Sequence, residues 1–177
     1  MQTKVLVAYA TRYGSTQEVA QAIADTLREC GLEVDLEPMR KIKTLEGYTG
    51  VVFGAPLYIM HWNKDAHNFL SQHREALADK QVAVFALGAL SNDEEECKEV
   101  RAQLDKELAK YQWLKPVAVE TFGGKYDSAK LHFLDKIIVS MPANPLHKVQ
   151  TIDVRDWTAI QAWAKSLAIR FKSASPE

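Results

Sequence analysis

Five short apolar runs alternate with stretches of helical periodicity, and this alternation limits the chain to very few folds. The runs lie at 4–9, 33–36, 51–54, 81–87 and 116–121. The first (KVLVAY), third (VVFG) and fourth (VAVFAL) are almost continuously apolar, the pattern of parallel strands covered on both faces. The second alternates Val34 and Leu36 with acidic residues, and the fifth opens on Pro116, where a missing ladder donor matters least. Between the runs, 16–30 places Val19, Ala20, Ile23, Leu27 and Cys30 at helical spacing, with Gly31 as its stop. Helices are likewise expected over 63–73, over 94–111 and, capped by Asp153, over 153–171. A shorter helix or apolar segment is expected over 131–139. Strands alternating with helices imply an α/β three-layer sandwich, a parallel sheet with helices on both faces. For five strands the order 2-1-3-4-5 is expected, with a ligand crevice at the carboxyl ends of strands 1 and 3.

At 177 residues the chain is long enough for one well-cored domain, expected over 1–172 with an extended segment at 122–150 and a frayed tail at 173–177. Twenty-two basic against 23 acidic residues leave a formal charge of −1, so no overall field points to nucleic acid. Cys30 and Cys97 share no metal-ligand spacing and suit a reducing compartment. The N-terminal run reads as a buried strand rather than a signal peptide, and no apolar stretch approaches the roughly 20 residues that span a bilayer. A cytoplasmic protein, at most peripheral at the inner face of a membrane, is expected. The sequence sets no oligomeric state.

The chemistry concentrates where strand 1 meets the first helix. Thr11, Arg12, Tyr13, Gly14, Ser15 and Thr16 stand at the positive end of a helix dipole, ahead of the first intrahelical bond. Three hydroxyls can donate to phosphate oxygens, and Gly14 lets the backbone approach closely. Any one of these residues alone would be an ordinary cap or turn. Neither G-x-x-x-x-G-K-[ST] nor G-x-G-x-x-G occurs, which disfavours nucleotide hydrolysis and Rossmann-type dinucleotide binding. A receiver domain of the same architecture needs an acidic cluster after strand 1 and an aspartate ending strand 3. This chain has Thr11-Arg12 and Gly54-Ala55-Pro56 at those places.

The segment AYATRYGSTQEVAQAIA resembles the FMN-phosphate loop of flavodoxins, with Thr11, Gly14 and Thr16 at the hydroxyl, glycine and threonine positions of that pattern. The resemblance spans nearly the whole chain and implies a flavodoxin-like fold with FMN as cofactor. It assigns the isoalloxazine ring to the loops after strands 3 and 4. Pro56, Leu57, Tyr58, Met60 and Trp62 offer covering surfaces there, and Leu87, Gly88 and Ala89 offer backbone N–H groups. The aromatic residues would equally serve as ordinary packing under the next helix. His61 and His67 read as surface or capping histidines, and no metal site is assigned.

After strand 5, FGGKYD…LDKIIV and the later DVRDWTAIQAWA resemble the menaquinone-dependent protoporphyrinogen oxidases of flavodoxin type. Gly123 and Gly124 join the cofactor-binding candidates on that ground. Roughly 30 residues separate strand 5 from Asp153, long for a structureless connection and therefore of functional interest. The resemblance implies an FMN-dependent oxidoreductase that oxidises a porphyrinogen-type substrate with quinone as acceptor. The alternative is a flavodoxin that carries single electrons between redox proteins. A tetrameric flavodoxin-like quinone reductase shares the same loop. The near-neutral charge favours a small or apolar partner, because protein-docking flavodoxins are strongly acidic. No catalytic side chain is assigned, because the flavin performs the chemistry.

Overall fold

The computed structural model describes residues 3–58 and 61–173. Five parallel strands form its central sheet in the order β2-β1-β3-β5-β6: β1 (Lys4–Tyr9), β2 (Glu33–Pro38), β3 (Gly50–Tyr58), β5 (Gln81–Leu87) and β6 (Ala118–Phe122). Counted along the parallel strands alone, this is the expected 2-1-3-4-5. Strand β4 (His61–Trp62) folds back antiparallel onto the end of β3, with Leu57 opposite Trp62. A separate antiparallel pair joins β7 (Lys125–Asp127) to β8 (Thr151–Asp153). The three short strands went unread in the sequence because two or three residues are too few to show a period.

The two-residue period of the strands sorts the core into two layers. Val5, Val7 and Tyr9 of β1, with Ala83, Phe85 and Leu87 of β5, face α1 (Ser15–Glu29) and α6 (Trp157–Ser173). Leu6, Ala8, Val82, Val84 and Ala86 face the other way. There they meet α2 (Lys64–Gln72), α3 (Arg74–Ala78) and α4 (Glu94–Leu108). The central side chains are sealed on both faces, with Phe53 and Phe85 at 0% exposure. Gly54 has a packing role, because a Cβ there would stand 2.1 Å from the Phe85 ring.

Several sequence boundaries move. Strand 3 does not end at Gly54; it continues to Tyr58, with Pro56 in register opposite Leu87 of β5. Strand 5 starts at Ala118 instead of Pro116, although the Val117 N–H already reaches the Val82 carbonyl at 2.8 Å. Helix α4 stops at Leu108, and α3 is additional. Asp153 does not cap the last helix. Its carboxylate is held by Arg155 at 2.8 and 2.6 Å, and Asp156 takes the capping role by accepting from the Ala159 N–H. A two-pronged guanidinium–carboxylate contact outcompetes a single capping bond. The segment expected at 131–139 is helix α5 (Phe133–Ser140). The helix α6 includes Ser173, so the expected tail lies outside the described residues from 174 onward.

Candidate functional site

Strand β1 delivers the chain to Ala10, whose N–H bonds to the Gly54 carbonyl at 2.9 Å and fixes where the loop leaves the sheet. Thr11 Oγ1 then accepts from the Gly14 N–H at 2.9 Å, closing the turn on itself. Gly14 caps α1 at φ 93°, a left-handed conformation that side chains disfavour. The first intrahelical bond runs from Glu18 N–H to the Gly14 carbonyl, so the N–H groups of Ser15, Thr16 and Gln17 precede the ladder. They give the loop the geometry of an anion seat.

Thr16 supplies the test of what that seat would hold. Its hydroxyl is fully enclosed, at 0% residue exposure, and has no hydrogen-bond partner among the described residues. Leaving such a group unpaired costs about 1–3 kcal/mol. A phosphate oxygen reaching the helix start would remove that cost, so the donor set fits a phosphate monoester.

Beside the loop a cavity of about 700 Å³ opens at the carboxyl ends of the strands, a size usual for cofactor and substrate sites. Its walls include ten of the residues expected from sequence: Arg12, Tyr13 and Ser15 from the first loop; Pro56, Leu57, Tyr58 and Trp62 from β3 and β4; Leu87, Gly88 and Gly124 beyond β5 and β6. Thr11, Gly14, Thr16 and Ala89 are not part of this lining. Gly123 is also outside it: a Cβ there would meet the Val154 carbonyl oxygen at 2.2 Å, so this glycine lets the chain just after β8 pass close by. Met60 falls outside the described residues.

The β3–β4 hairpin presents Tyr58, 41% exposed, while Trp62 is buried and donates its indole N–H to the Ala55 carbonyl at 3.4 Å. Trp62 therefore stiffens the wall from behind, and its ring also packs on Phe53. On the opposite side the loop after β5 is held by Glu96, which accepts from the Leu90 N–H at 2.8 Å and from the Ser91 hydroxyl. Gly88 is required there by α4, since a Cβ would approach Val100 at 2.7 Å.

The fourth wall comes from the long segment after β6, whose functional interest was expected although its lining residues, Gly124 apart, were not among the site candidates. Leu131, Val139 and Leu146 contribute apolar surface, with Lys125, Tyr126 and Lys130 as polar neighbours. The Tyr126 hydroxyl is buried without a partner among the described residues, and burial raises its pKa. This segment is fastened to the first loop by Asp135 of α5. Its carboxylate, 7% exposed, accepts from the Arg12 guanidinium at 2.6 Å and from the Tyr13 hydroxyl. Burial and the bond to Asp135 push the Tyr13 phenol up to about 12, so it remains a donor at neutral pH. The Arg12 guanidinium also lies 5.0 Å from the Tyr58 ring centre. A second tie lies at the other end of the segment. Arg155, 2% exposed at its side chain, joins Asp153 to Glu18 in the first turn of α1, at 2.6 and 2.7 Å. These contacts hold the Asp153 carboxyl below its usual range, chiefly through the Arg155 hydrogen bonds. Asp135 carried one signal in the sequence: it is the only carboxylate between 128 and 152.

Sheet order, seat and cavity together define a binding site at a topological switch point. The flavodoxin domain family model matches residues 6–152, and the chain belongs to that family. Protoporphyrinogen IX dehydrogenase [quinone] of Escherichia coli (strain K12) is 24% identical over 172 residues, covering 93% of this chain and 94% of that protein. Among solved structures, oxidised flavodoxin 2 from Bacillus cereus aligns over 98% of this chain and all of its own, with 21% identity and a TM-score of 0.57. A flavodoxin from the domain Archaea covers 96% of this chain and 99% of its own, with 14% identity and a TM-score of 0.58. The protein is accordingly an FMN-binding oxidoreductase of the flavodoxin family. When bound, FMN supplies the redox chemistry, and the chain's part is to seat the phosphate and enclose the ring. Thr16 and the N–H groups opening α1 would hold the phosphate, and the β3–β4 hairpin and the loop after β5 would flank the ring.

Proposed function

We propose that the chain oxidises a porphyrinogen-type substrate and passes the electrons to a quinone. The observation that carries this reading is the fourth wall. A flavin needs only the phosphate loop and the two ring loops, whereas the segment after β6 adds an apolar surface with lysines at its edge. Leu131, Val139 and Leu146 suit a large flat apolar substrate, and Lys125 and Lys130 suit its acidic substituents. The activity for which the Escherichia coli relative is named supports the same assignment. The half-reactions balance: dehydrogenation of a porphyrinogen removes hydrogens in pairs, and reduction of a quinone to quinol takes up two electrons and two protons. An apolar quinone would call for peripheral contact with a membrane; no helix among the described residues is long and apolar enough to cross one.

The test is anaerobic mixing of FMN-loaded protein with protoporphyrinogen. The expected outcome is saturable bleaching of the oxidised-flavin absorbance, appearance of porphyrin fluorescence, and recovery of the flavin band on adding quinone. A second reading, a carrier of single electrons between redox proteins, draws on exposed Asp93, Glu94 and Glu95 beside the loop after β5, an acidic docking edge. Inertness toward porphyrinogen combined with rapid reduction by a ferredoxin-type reductase would select that reading.

A further inference from the structure

Helix α5 is amphipathic, and its two faces have different fates. Its inward face carries Asp135 and Val139, one turn apart, the first bound to Arg12 and Tyr13 and the second lining the cavity. The outward face carries Leu134, Ile137, Ile138 and Met141 at helical spacing, with Phe133 beside them. These five are 71%, 43%, 48%, 53% and 75% exposed, respectively. Five of the eight exposed large apolar side chains of the described residues thus fall on one short helix and its cap. Nothing among the described residues covers them.

Cations outnumber carboxylates in this segment. Between 128 and 152 the chain has Lys130, Lys136 and Lys148 against the single carboxylate of Asp135, with Asp127 and Asp153 at its two ends. Asp135 points inward and is already matched by Arg12. Lys130, Lys136 and Lys148 are exposed. An apolar stripe rimmed by lysines has the character of a helix that lies in a membrane interface, its side chains in the acyl boundary and its cations among anionic headgroups.

We infer that α5 is a membrane-docking helix for anionic lipid, and that it sets the mouth of the cavity against the bilayer. A second copy of the chain fits the face less well. Two-fold pairing would bring the lysine rims of both copies together. A helix about 12 Å long also falls short of the roughly 800 Å² per partner of a stable interface. The inference deepens the reading of an oxidoreductase with a quinone acceptor, but it is tested by lipid binding rather than turnover. Either can therefore fail while the other stands.

The experiment is co-sedimentation of the FMN-loaded full chain with vesicles of phosphatidylcholine containing about a third phosphatidylglycerol, and with phosphatidylcholine alone. Binding is expected to the anionic vesicles, and to weaken as salt is raised. The double variant L134D/I138D alters only exposed side chains outside the cavity and should partition at least about tenfold less well while retaining its flavin. I169D, at a 69% exposed position on α6, is the control and should bind like the parent. No sedimentation at low salt, or equal binding by L134D/I138D and the parent, overturns the proposal. So does a lipid-free dimer in sedimentation velocity that L134D/I138D dissolves, which would assign the face to a second copy.

Discussion

The loop at the end of β1 and the segment after β6 face each other across one cavity, yet they are built on opposite principles. The loop is local. Its turn closes within three residues through Thr11 and Gly14, and its polar groups arise from the start of the helix that follows. The wall after β6 is assembled from distant pieces. Asp135 reaches back 123 residues to Arg12, and Arg155 reaches back 137 to Glu18. One region carries a turn with the geometry of an anion seat. The other carries what a bare flavin site does not need.

If that division is real, the two regions separate on mutation. The largest effect is expected from replacing 128–150 by Asn-Gly. Asp127 and Thr151 are already paired across β7 and β8, so a two-residue turn can close the hairpin. Flavin fluorescence titration should show FMN affinity within about threefold of the parent, while porphyrinogen-driven flavin reduction falls at least about a hundredfold through lost positioning. Collapse of both together would show that the loop and the wall form a single unit.

Thr16→Val sharpens the other side of the comparison. Loss of one hydrogen bond to a charged phosphate should raise the FMN dissociation constant about tenfold. Thermal unfolding of the FMN-free protein should be unchanged or shifted upward, because the hydroxyl has no hydrogen-bond partner among the described residues. A destabilised FMN-free protein would assign Thr16 a structural role instead.

Asp135→Asn tests the tie itself, with the smallest expected effect. Arg12 is 41% exposed at its side chain, so the ion pair contributes only about 1 kcal/mol. Hydrogen exchange should quicken in α5 and stay unchanged in α1, with FMN affinity moved by less than about threefold. Quickened exchange in α1 would show that the loop depends on the segment it faces.

The strands that position the loop were readable because both their faces are buried. Burial on two sides removes polar residues and leaves runs such as VAVFAL, which no surface segment imitates. The end of strand 3 was misread because glycine and proline usually break structure. Here Gly54 makes room for Phe85, and Pro56 stands in parallel register opposite Leu87. Gly123, a cofactor-binding candidate in the sequence, also lets Val154 approach. In each case the close neighbour is distant in the sequence.

The sequence by itself determined the sheet order, the loop of hydroxyls and glycine, and its place at the switch point. Those depend on local periodicity and on the rules of right-handed crossover, which a linear string contains. Only the tertiary structure decided that Asp135 turns inward to Arg12, that five apolar side chains of α5 and its cap turn outward, and that Asp153 serves Arg155 rather than the last helix. A short amphipathic helix has a face for the core and a face for something else, and only its packing shows which is which.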